Sequence, residues 1–488
     1  MSRLFGTDGV RGVVGEWPLV PEFALALGRA AGSVLAAHSK QPTILVGRDT
    51  RQSGPMLQSA LVAGLLAGGV DVLELDVITT PGISWLTHKL GARAGVVISA
   101  SHNPVQQNGI KFFGPEGHKL PEALEEEIER IADPQPEDTI PNTTRPKIRP
   151  GRIMDGHGMR ELYIEGLLAE HHDLQLDRLT VVLDCANGAA SEYAPEIFAR
   201  AGVNVVAIHA SPTGLNINVD AGSENVRQWP GKMKNLIQSY HANFGVAFDG
   251  DADRVIFVDQ NGGVVDGDHM LGMLARYFDK RDQLLGRSLV TTTMRNAGLK
   301  KFAEAAGWQL HETPVGDKYV TEKLIELRRN TPQSGGIGLG GEQSGHVILL
   351  DDSHVTGDGM RTALFVMRAF IESGATSMAE FAAGIGKTPQ VIASADVGRG
   401  PRLDKFALVD IENQTLAGHP GLTRINLRYS GTESKFRAML ESDGQQSEEA
   451  LAGIAARICR QIQAASGMNG GGIEIQDCSR GGLLMTTD

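Results

Sequence analysis

Three aspartates at alternate positions are the sharpest chemical signal in this sequence. They are Asp249, Asp251 and Asp253 in the run D-G-D-A-D-R. Alternate residues of an extended segment project to one side, so the three carboxylates can converge on one point. Hard oxygen ligands in that arrangement suit Mg²⁺, which keeps room for water and a phosphate oxygen. A calcium EF-hand does not fit, because Arg254 and Gln260 occupy the positions that need glycine and glutamate; a solvated acidic turn is the remaining alternative.

A serine hydroxyl lies at the tip of a polar loop between two apolar runs. The runs are residues 95–98 and 110–113, and Ser101 lies between them in S-A-S-H-N-P. This pattern predicts two strands that flank a turn. An ordinary surface turn, held by local hydroxyl and amide bonds, is the alternative to a functional loop. Lys111 follows on the second strand, where a pKa lowered by neighbouring cations would let it exchange a proton with a sugar hydroxyl.

A third loop carries an acid, an amide, a hydroxyl and an imidazole within five residues. These are Glu342, Gln343, Ser344 and His346. We expect such a mixture to contact sugar hydroxyls or an amine rather than a metal. The alternate glycines upstream, at 336–340, resemble a dinucleotide-binding loop, but the helix that should follow is missing from the pattern. A purely structural role is the alternative for His346.

A fourth loop concentrates positive charge and hydroxyls. It runs from Arg428 to Arg437 as R-Y-S-G-T-E-S-K-F-R. Charged side chains and backbone N–H groups brought close by a glycine can hold phosphate together, whereas a hairpin turn with surface charges is the alternative. Arg11 in F-G-T-D-G-V-R-G, Arg254 beside the aspartates and the run G-R-D-T-R-Q-S-G at 47–54 add further cations.

These loops fall at equivalent places in a threefold internal repeat. A helix pattern that ends in Ala-Gly and leads into a strand occurs at 67–72, 201–205 and 306–310. Each copy has a strand before its helix and ends in a strand, a polar loop and a second strand. Strands that alternate with helices predict three similar α/β domains, whose mixed sheets are covered by helices on both faces.

The end of the chain departs from this repeat. Two predicted strands, 423–429 and 436–440, flank the fourth loop, and a helix begins near Ser447, so we expect a smaller α+β domain. The tail from Gly467 onward is glycine-rich, which predicts a loosely ordered segment. We therefore expect four domains, at residues 1–153, 154–262, 263–375 and 376–488.

Composition excludes several classes of protein. The chain has 488 residues, a formal net charge of −12 and no block of Lys and Arg, so we expect neither nucleic acid nor a membrane as a partner. The three widely spaced cysteines suggest neither a disulfide framework nor a zinc site. The sequence shows no signal-peptide core and no apolar run long enough to span a bilayer. We expect a cytoplasmic protein.

Taken together, F-G-T-D-G-V-R-G, I-S-A-S-H-N-P with N-G-I-K-F-F, D-G-D-A-D-R, G-E-Q-S-G-H and R-Y-S-G-T-E-S resemble the α-D-phosphohexomutases. The resemblance covers essentially the whole chain. Among these enzymes it is closest to the phosphoglucosamine mutases, on the strength of Phe5 and Gln343. It implies a heart-shaped protein of four domains, with one loop from each lining a central cleft.

The same resemblance implies a role for each candidate residue. Ser101 would be the phosphoserine, with Arg11 near it and Mg²⁺ bound through Ser101 and the three aspartates. Lys111 and His346 would be the acid/base groups. The remaining candidates would bind substrate: Arg254, Gly316, Asp317, Glu342, Ser344, Arg428, Ser430, Gly431, Thr432 and Arg437.

The implied reaction interconverts glucosamine 6-phosphate and glucosamine 1-phosphate through a 1,6-bisphosphate. One Mg²⁺ per chain, a glucose or glucosamine 1,6-bisphosphate activator, and a monomer or homodimer are expected with it. A mutase for neutral hexose phosphates is the closest alternative. A metal-dependent sugar phosphatase and a catalytically silent sugar-phosphate binder are alternatives of other classes.

Overall fold

The computed structural model describes most of the chain. The described residues are 4–6, 8–36, 42–133, 149–173, 176–331, 335–398, 400–430, 434–468 and 470–487. The chain forms two compact units. The first comprises Met1–Glu224, Val246–Val255 and His346–Arg368, and the second comprises Asn225–Gly245, Ile256–Gly345 and Ala369–Asp488.

Strands and helices alternate along the first two thirds of the chain, as the repeat predicts. The elements that build the first sheet and its helices are β1 (Val10–Val13), α1 (Pro21–Ala36), β2 (Thr43–Arg48), α2 (Gly54–Ala67), β3 (Asp71–Val77), α3 (Thr80–Lys89), β4 (Ala94–Ile98), β5 (Gln107–Phe113), α4 (Glu122–Ala132) and β6 (Ile153–Asp155). Those of the second are α5 (Met159–Ala169), β7 (Thr180–Asp184), α6 (Ala190–Arg200), β8 (Asn204–Ile208), α7 (Gly222–Gln228), α8 (Pro230–Ser239), β9 (Phe244–Phe248), β10 (Val255–Val258) and β11 (Val264–Val265).

The elements of the third and fourth sheets come next along the chain. The elements of the third are α9 (Gly267–Asp279), β12 (Leu284–Thr292), α10 (Ala297–Ala306), β13 (Gln309–Thr313), α11 (Asp317–Asn330), β14 (Ile337–Gly341), β15 (Val347–Leu350) and α12 (Gly359–Ser373). Those of the fourth are α13 (Met378–Ala382), β16 (Gln390–Asp396), α14 (Lys405–Gly418), β17 (Leu422–Tyr429), β18 (Lys435–Ser442), α15 (Glu448–Ala465), β19 (Ile473–Asp477) and β20 (Leu483–Thr487).

The strand orders confirm the predicted fold class. They are β1-β5-β4-β2-β3-β6, β11-β10-β9-β7-β8, β13-β12-β14-β15 and β17-β18-β16-β19-β20. In the first sheet β4, β2, β3 and β6 are parallel, whereas β1 and β5 are antiparallel to their neighbours. Every pairing in the fourth sheet is antiparallel. The domain boundaries themselves stay a prediction.

Close packing in the first domain fixes helix α3 against its sheet. A Cβ at Gly47 would lie 2.9 Å from Ile83 of the helix, and one at Gly95 would lie 2.2 Å from the hydroxyl of Thr87. The absence of side chains at these glycines lets the helix approach the strands. Thr79 caps the helix by accepting a hydrogen bond from the backbone N–H of Gly82. The start of α3 is therefore held in a defined position beside the loops described below.

The glycine-rich tail differs from the prediction. Instead of being loosely ordered, it contributes β19 and β20 to the fourth sheet. Ile473 and Ile475, at alternate positions, are fully buried in the core beneath that sheet. This period-two pattern outweighs the flanking glycines, because burial of the two isoleucines offsets the entropy lost by ordering the segment. Among the described residues, no helix has both the length and the apolar character needed to cross a bilayer.

Candidate active site

The first unit brings the serine loop and the aspartate run together. Ser101 lies in the loop between β4 and β5 and is buried. Its Oγ donates a hydrogen bond to Oδ2 of Asp249 and lies 3.3 Å from Nδ1 of His102. The loop is therefore not an ordinary surface turn, because a buried hydroxyl contacts a buried carboxylate.

The three predicted aspartates form a compact cluster. Asp249, Asp251 and Asp253 are buried, and each offers one carboxylate oxygen within 4.8 Å of the other two. Oδ1 of Asp251 and Oδ1 of Asp253 are buried, and within the described part of the chain neither accepts a hydrogen bond. Buried carboxylate oxygens without partners are costly unless a cation occupies the space between them. The donor set fits a hard divalent cation such as Mg²⁺.

Burial and neighbouring charges shift two of these carboxyl groups in opposite directions. Burial, and then repulsion from Asp253 and Asp251, raises the pKa of Asp249 well above its usual range. Burial alone would also raise the pKa of Asp253, but His346 and Lys111 outweigh it and hold the pKa of that carboxyl well below its usual range. Asp249 therefore favours its proton because it faces like charges, and Asp253 favours its charge because it faces cations.

Lys111 extends from β5 to the aspartates. Its Nζ lies 2.9 Å from Oδ2 of Asp251, 3.0 Å from Oδ2 of Asp8 and 3.9 Å from Oδ2 of Asp253. Burial would lower the pKa of Lys111, but attraction to Asp251 and Asp8 outweighs it and raises the pKa. The lowered pKa that proton exchange by this lysine requires is therefore not seen in this structure, because its closest neighbours are carboxylates rather than cations.

Asp8 gathers several cations next to this cluster. It accepts a hydrogen bond from Arg11, and Nζ of Lys111 and Nζ of Lys119 lie 3.0 Å from its Oδ2 and 2.7 Å from its Oδ1. Burial opposes ionisation of Asp8, but these three cations outweigh it and lower its pKa well below the usual range. Arg11 thus stands close to Lys111 through a shared carboxylate. Sequence reasoning missed Asp8 and Lys119, although Asp8 lies within the motif that contains Arg11.

Two further predicted residues border the aspartates. Nδ1 of His346 lies 3.6 Å from Oδ1 of Asp253, and a Cβ added at Gly357 would lie 2.4 Å from its Nε2. Gly357 thus leaves the space that the imidazole occupies. The backbone N–H of Arg254 donates to Oδ1 of Asp249 at 3.1 Å, and its Nε lies 3.8 Å from Asp253.

In the second unit, the loop that contains Glu342 and Ser344 contacts the start of α11. We call it the sugar loop, after its predicted ligand. Oε1 of Glu342 accepts a hydrogen bond of 3.1 Å from the backbone N–H of Gly316, and Oγ of Ser344 lies 3.5 Å from Oε2 of Glu342. Gly316 has φ +136°, a conformation that other residues rarely adopt, and Asp317 begins the helix. The structure therefore brings Gly316, Asp317, Glu342 and Ser344 together.

The side chain of Gln343 is directed away from Glu342. It is buried and donates hydrogen bonds to Oδ2 of Asp268, at 3.2 Å, and to Oε1 of Gln390, at 2.8 Å. Asp268 also accepts from Nζ of Lys387 and from the backbone N–H of Asn296. Gln343 thus anchors the loop in a polar network and does not extend beside Glu342.

The phosphate loop lies at the end of the β17–β18 hairpin. Arg428 and Arg437 are directly opposite each other across these strands, and the backbone N–H of Ser430 donates to the carbonyl of Lys435 at 2.7 Å. Gly431 and Thr432 lie outside the described residues. Tyr429 is fixed on the opposite face, because its hydroxyl accepts from Leu403 N–H and its ring packs on Phe436.

Family comparisons agree with this geometry. The chain matches the phosphoglucomutase/phosphomannomutase alpha/beta/alpha domains I, II and III over residues 2–138, 161–263 and 266–387. It is 44% identical to a phosphoglucosamine mutase of Moorella thermoacetica, over 93% of this chain and 98% of the relative. A phosphoglucosamine mutase of Corynebacterium efficiens is 43% identical over 94% of this chain and 99% of its own length. The chain belongs to the phosphoglucosamine mutase family.

Solved structures of related enzymes share the fold of this family member. A phosphoglucomutase/phosphomannomutase family protein from Burkholderia thailandensis has a TM-score of 0.73 at 24% identity, covering 96% of this chain and 99% of that one. An N-acetylphosphoglucosamine mutase from Aspergillus fumigatus, in complex with GlcNAc-6P and magnesium, has a TM-score of 0.65 at 15% identity, covering 96% of each chain. These structures place the chain in the phosphohexomutase fold.

Proposed function

We propose that this protein is a phosphoserine mutase that interconverts glucosamine 6-phosphate and glucosamine 1-phosphate. The observation that carries the proposal is the buried Ser101 hydroxyl bonded to Asp249 within a cluster of three aspartates. A hydroxyl placed there can carry a phosphoryl group whose charge a bound cation screens. The choice of an amino sugar is supported by relatives above 40% identity that are named for that substrate.

We propose that the three aspartates and Ser101 hold one Mg²⁺ per chain. Oδ1 of Asp251 is buried and accepts no hydrogen bond within the described part of the chain, and Oδ1 of Asp253, 3.6 Å from Nδ1 of His346, accepts none at hydrogen-bond distance there, so both are available as ligands. When bound, the ion would offset phosphoryl charge and make the phosphorus more electrophilic. Thr80 Oγ1 and Lys111 Nζ both contact Oδ2 of Asp251, so that carboxylate is already oriented by the protein.

In the first transfer, the C1 hydroxyl oxygen of glucosamine 6-phosphate attacks the phosphorus on Ser101. The bond from that phosphorus to Oγ breaks as the new bond to the sugar oxygen forms, and the hydroxyl proton leaves. His346, which borders the aspartates at Asp253, is the candidate to receive it, whereas Lys111 keeps its own proton because Asp251 and Asp8 raise its pKa. Arg11, Lys111 and Arg254 supply positive charge where the transferring group carries negative charge.

Before the second transfer, the bisphosphate must reorient so that its 6-phosphate faces Ser101. The 6-phosphate of glucosamine 1,6-bisphosphate then moves to Oγ of Ser101, leaving glucosamine 1-phosphate and restoring the phosphoenzyme. We assign the phosphate that is not being transferred to Arg428, Ser430, Gly431, Thr432 and Arg437. These residues would bind the phosphate group itself, so either the 1-phosphate or the 6-phosphate can occupy the site. Glu342, Ser344, Gly316 and Asp317 are assigned to the sugar, where a carboxylate can pair with the 2-ammonium group.

The remaining parts of the proposal concern the protein's surroundings. Glucose or glucosamine 1,6-bisphosphate would load Ser101 when the phosphate has been lost. The net charge of −12 and the lack of a block of Lys and Arg disfavour nucleic acid and membrane as partners, and we propose a small sugar phosphate, held by the local cations, as the ligand. We also propose a monomer or homodimer. The three cysteines are free and buried, and burial raises the pKa of Cys459 and Cys478 to about 12, which suits a reducing cytoplasm.

The test is an intact-mass measurement combined with turnover. Incubation with glucose 1,6-bisphosphate should add one phosphate to the peptide that contains Ser101. The phosphorylated protein should then convert glucosamine 6-phosphate to glucosamine 1-phosphate, and Ser101 should lose its phosphate only where the 1,6-bisphosphate is released before the second transfer. Higher kcat/KM with glucose or mannose 6-phosphate would reject the amino-sugar assignment. Release of inorganic phosphate in step with substrate loss would indicate a phosphatase, and no phosphorylation under any condition would reject the mutase.

A further inference from the structure

Ser101 has an unfavourable backbone conformation. Its φ is +52°, in the left-handed region that residues with a Cβ rarely adopt. Such a conformation costs on the order of 1–3 kcal/mol and persists only where the surrounding structure holds it. A Cβ added at Gly250 would lie 2.5 Å from the Ser101 carbonyl oxygen, so the space around this carbonyl is tightly enclosed. The groups that hold the loop are therefore part of how the hydroxyl is aimed.

One buried arginine supplies most of those groups. Arg51 is fully buried at the end of β2, and its guanidinium donates to the carbonyls of Ser101 and Asn103 at 2.9 and 2.8 Å. It also donates to the carbonyls of Pro104 and Gln107 at 2.6 and 3.0 Å. Three of the acceptors lie between β4 and β5 and the fourth, Gln107, is the first residue of β5, so the side chain organises this one loop.

A carboxylate and a hydroxyl close the arrangement into a ring. Oδ2 of Asp49 accepts from Nε of Arg51 at 2.9 Å and from Oγ of Ser99 at 2.8 Å. Oγ of Ser99 in turn accepts the backbone N–H of Ser101 at 2.9 Å. Both backbone polar groups of Ser101 are thus tied to the same Asp49–Arg51 pair.

A second donor reaches the loop from a different part of the chain. Nδ2 of Asn218 donates to the carbonyls of Ser101 and Asn103, at 2.8 and 3.2 Å. Asn218 has φ +59° and its backbone N–H donates to the carbonyl of Ala186, so its own position is fixed. The carbonyl of Ser101 therefore has two side-chain donors that arrive on separate loops.

We propose that Arg51 is a positioning residue for phosphoryl transfer, and that with Asp49, Ser99 and Asn218 it fixes the Ser101 backbone so that Oγ stays aimed at the aspartate cluster. This inference rests on the proposed mutase function. A buried ion pair is costly to desolvate. The remaining N–H groups of Arg51 in this pair donate to carbonyls of the serine loop, which indicates that the pair serves to hold that loop. Small misplacements of reacting groups cost large factors in rate, which explains why such a pair would be built here.

The experiment compares Arg51→Lys with Arg361→Lys. Both arginines are fully buried in the first unit, but Arg361 pairs with Glu170 and Asp351 and contacts no part of the serine loop. Arg51→Lys should lower kcat, and the single-turnover rate of transfer from phospho-Ser101, by roughly 100-fold with KM almost unchanged. Arg361→Lys should lower the thermal midpoint without that loss of rate.

Two milder variants keep the test decisive if Arg51→Lys does not fold. Ser99→Ala and Asn218→Ala each remove one tether and leave the ion pair in place, and each should lower the single-turnover rate by about tenfold. Equal rates in wild type and in these variants, with Ser101 phosphorylated in all of them, would overturn the positioning role alone. Absence of phosphate on wild-type Ser101 would instead reject the mutase function on which the inference rests.

Discussion

The loop that carries Ser101 and the hairpin that carries Arg428 and Arg437 are held in different ways. The serine loop has few regular backbone bonds, and buried side chains such as Arg51 and Asn218 bind its carbonyls. In the hairpin, by contrast, the backbone register of β17 and β18 puts Arg428 opposite Arg437. One region is therefore fixed by specific buried contacts and the other by the regular pairing of two strands.

This difference follows from what each region is proposed to do. A group that exchanges a covalent bond with substrate must be aimed closely, and the aim has to survive an unfavourable φ at Ser101. A phosphate clamp that receives either end of a bisphosphate needs charge at roughly the right separation, which strand pairing provides. We expect changes in the first region to affect kcat most, and changes in the second region to affect KM most.

The largest expected effect is that of Ser101→Ala. Removing the only atom that can carry the phosphoryl group should lower kcat by on the order of 10⁴-fold or more. Ala occupies the same backbone conformation and opens no large cavity, so the thermal midpoint should stay close to that of wild type. Coupled-assay turnover and calorimetry measure both quantities. Ser59→Ala, the same change on the exposed side of α2, is the control, and turnover by Ser101→Ala at the control's rate would disprove the mechanism.

Asp251→Asn should come next in size. The change replaces a cluster carboxylate by an amide and leaves Lys111 and Thr80 with a weaker acceptor. Even residues that only support metal ligands cost about 10- to 100-fold in affinity when changed, so the Mg²⁺ concentration for half-activation should rise at least that much. Titration of chelator-treated enzyme with Mg²⁺ measures it. Asp155→Asn, which removes an exposed carboxylate in the same unit, should leave the titration unchanged; the same curve for both variants would remove Asp251 from the site.

The first region was also the harder one to predict from sequence. Alternate aspartates and a serine between two apolar runs singled out Ser101 and the cluster, although the aspartates converge in a turn after β9, where Ala252 has φ +58°, and not along an extended segment as predicted. Arg51 was visible as a cation in G-R-D-T-R-Q-S-G, but its partners are backbone carbonyls of a loop about fifty residues away, which no local pattern encodes. The pKa of Lys111 was unpredictable for the same reason, since Asp8 and Asp251 reach it from distant segments.

The fold shows the same division between local and distant information. The threefold repeat predicted three α/β domains, and strand alternation at 423–429 and 436–440 predicted the hairpin that the structure has. The error was the tail, where glycine content concealed the alternation of Ile473 and Ile475. Gln343 is a second instance, because its neighbours in sequence suggest a ligand contact whereas Asp268 and Gln390 bury it.

In the second region, Arg437→Ala should weaken binding with little change in kcat. Loss of one charged hydrogen bond to phosphate costs about 2 kcal/mol, which corresponds to roughly a 30-fold rise in KM. Steady-state kinetics measure both kcat and KM. Arg457→Ala removes the same charge from an exposed position on α15 and should alter neither; a large drop in kcat for Arg437→Ala would contradict the division of roles.

The smallest effect on activity should come from Gln343→Leu. This variant tests whether the sugar loop is held by specific buried contacts, as the Ser101 loop is, or tolerates their loss. The Gln343 side chain donates to Asp268 and Gln390, so the change leaves Gln390 Oε1 without that donor and should destabilise the protein by about 1–3 kcal/mol. The ratio of kcat/KM for glucosamine 6-phosphate over glucose 6-phosphate should nevertheless hold. Glu342→Gln is the counterpart, since an amide oxygen can still accept from Gly316 while its lost charge should lower that ratio. If Gln343→Leu changed sugar preference as much as Glu342→Gln, the position of the sugar loop would depend on its buried hydrogen bonds, as the position of the Ser101 loop does. The hairpin of β17 and β18 would then be the one region of the three that is held by strand pairing.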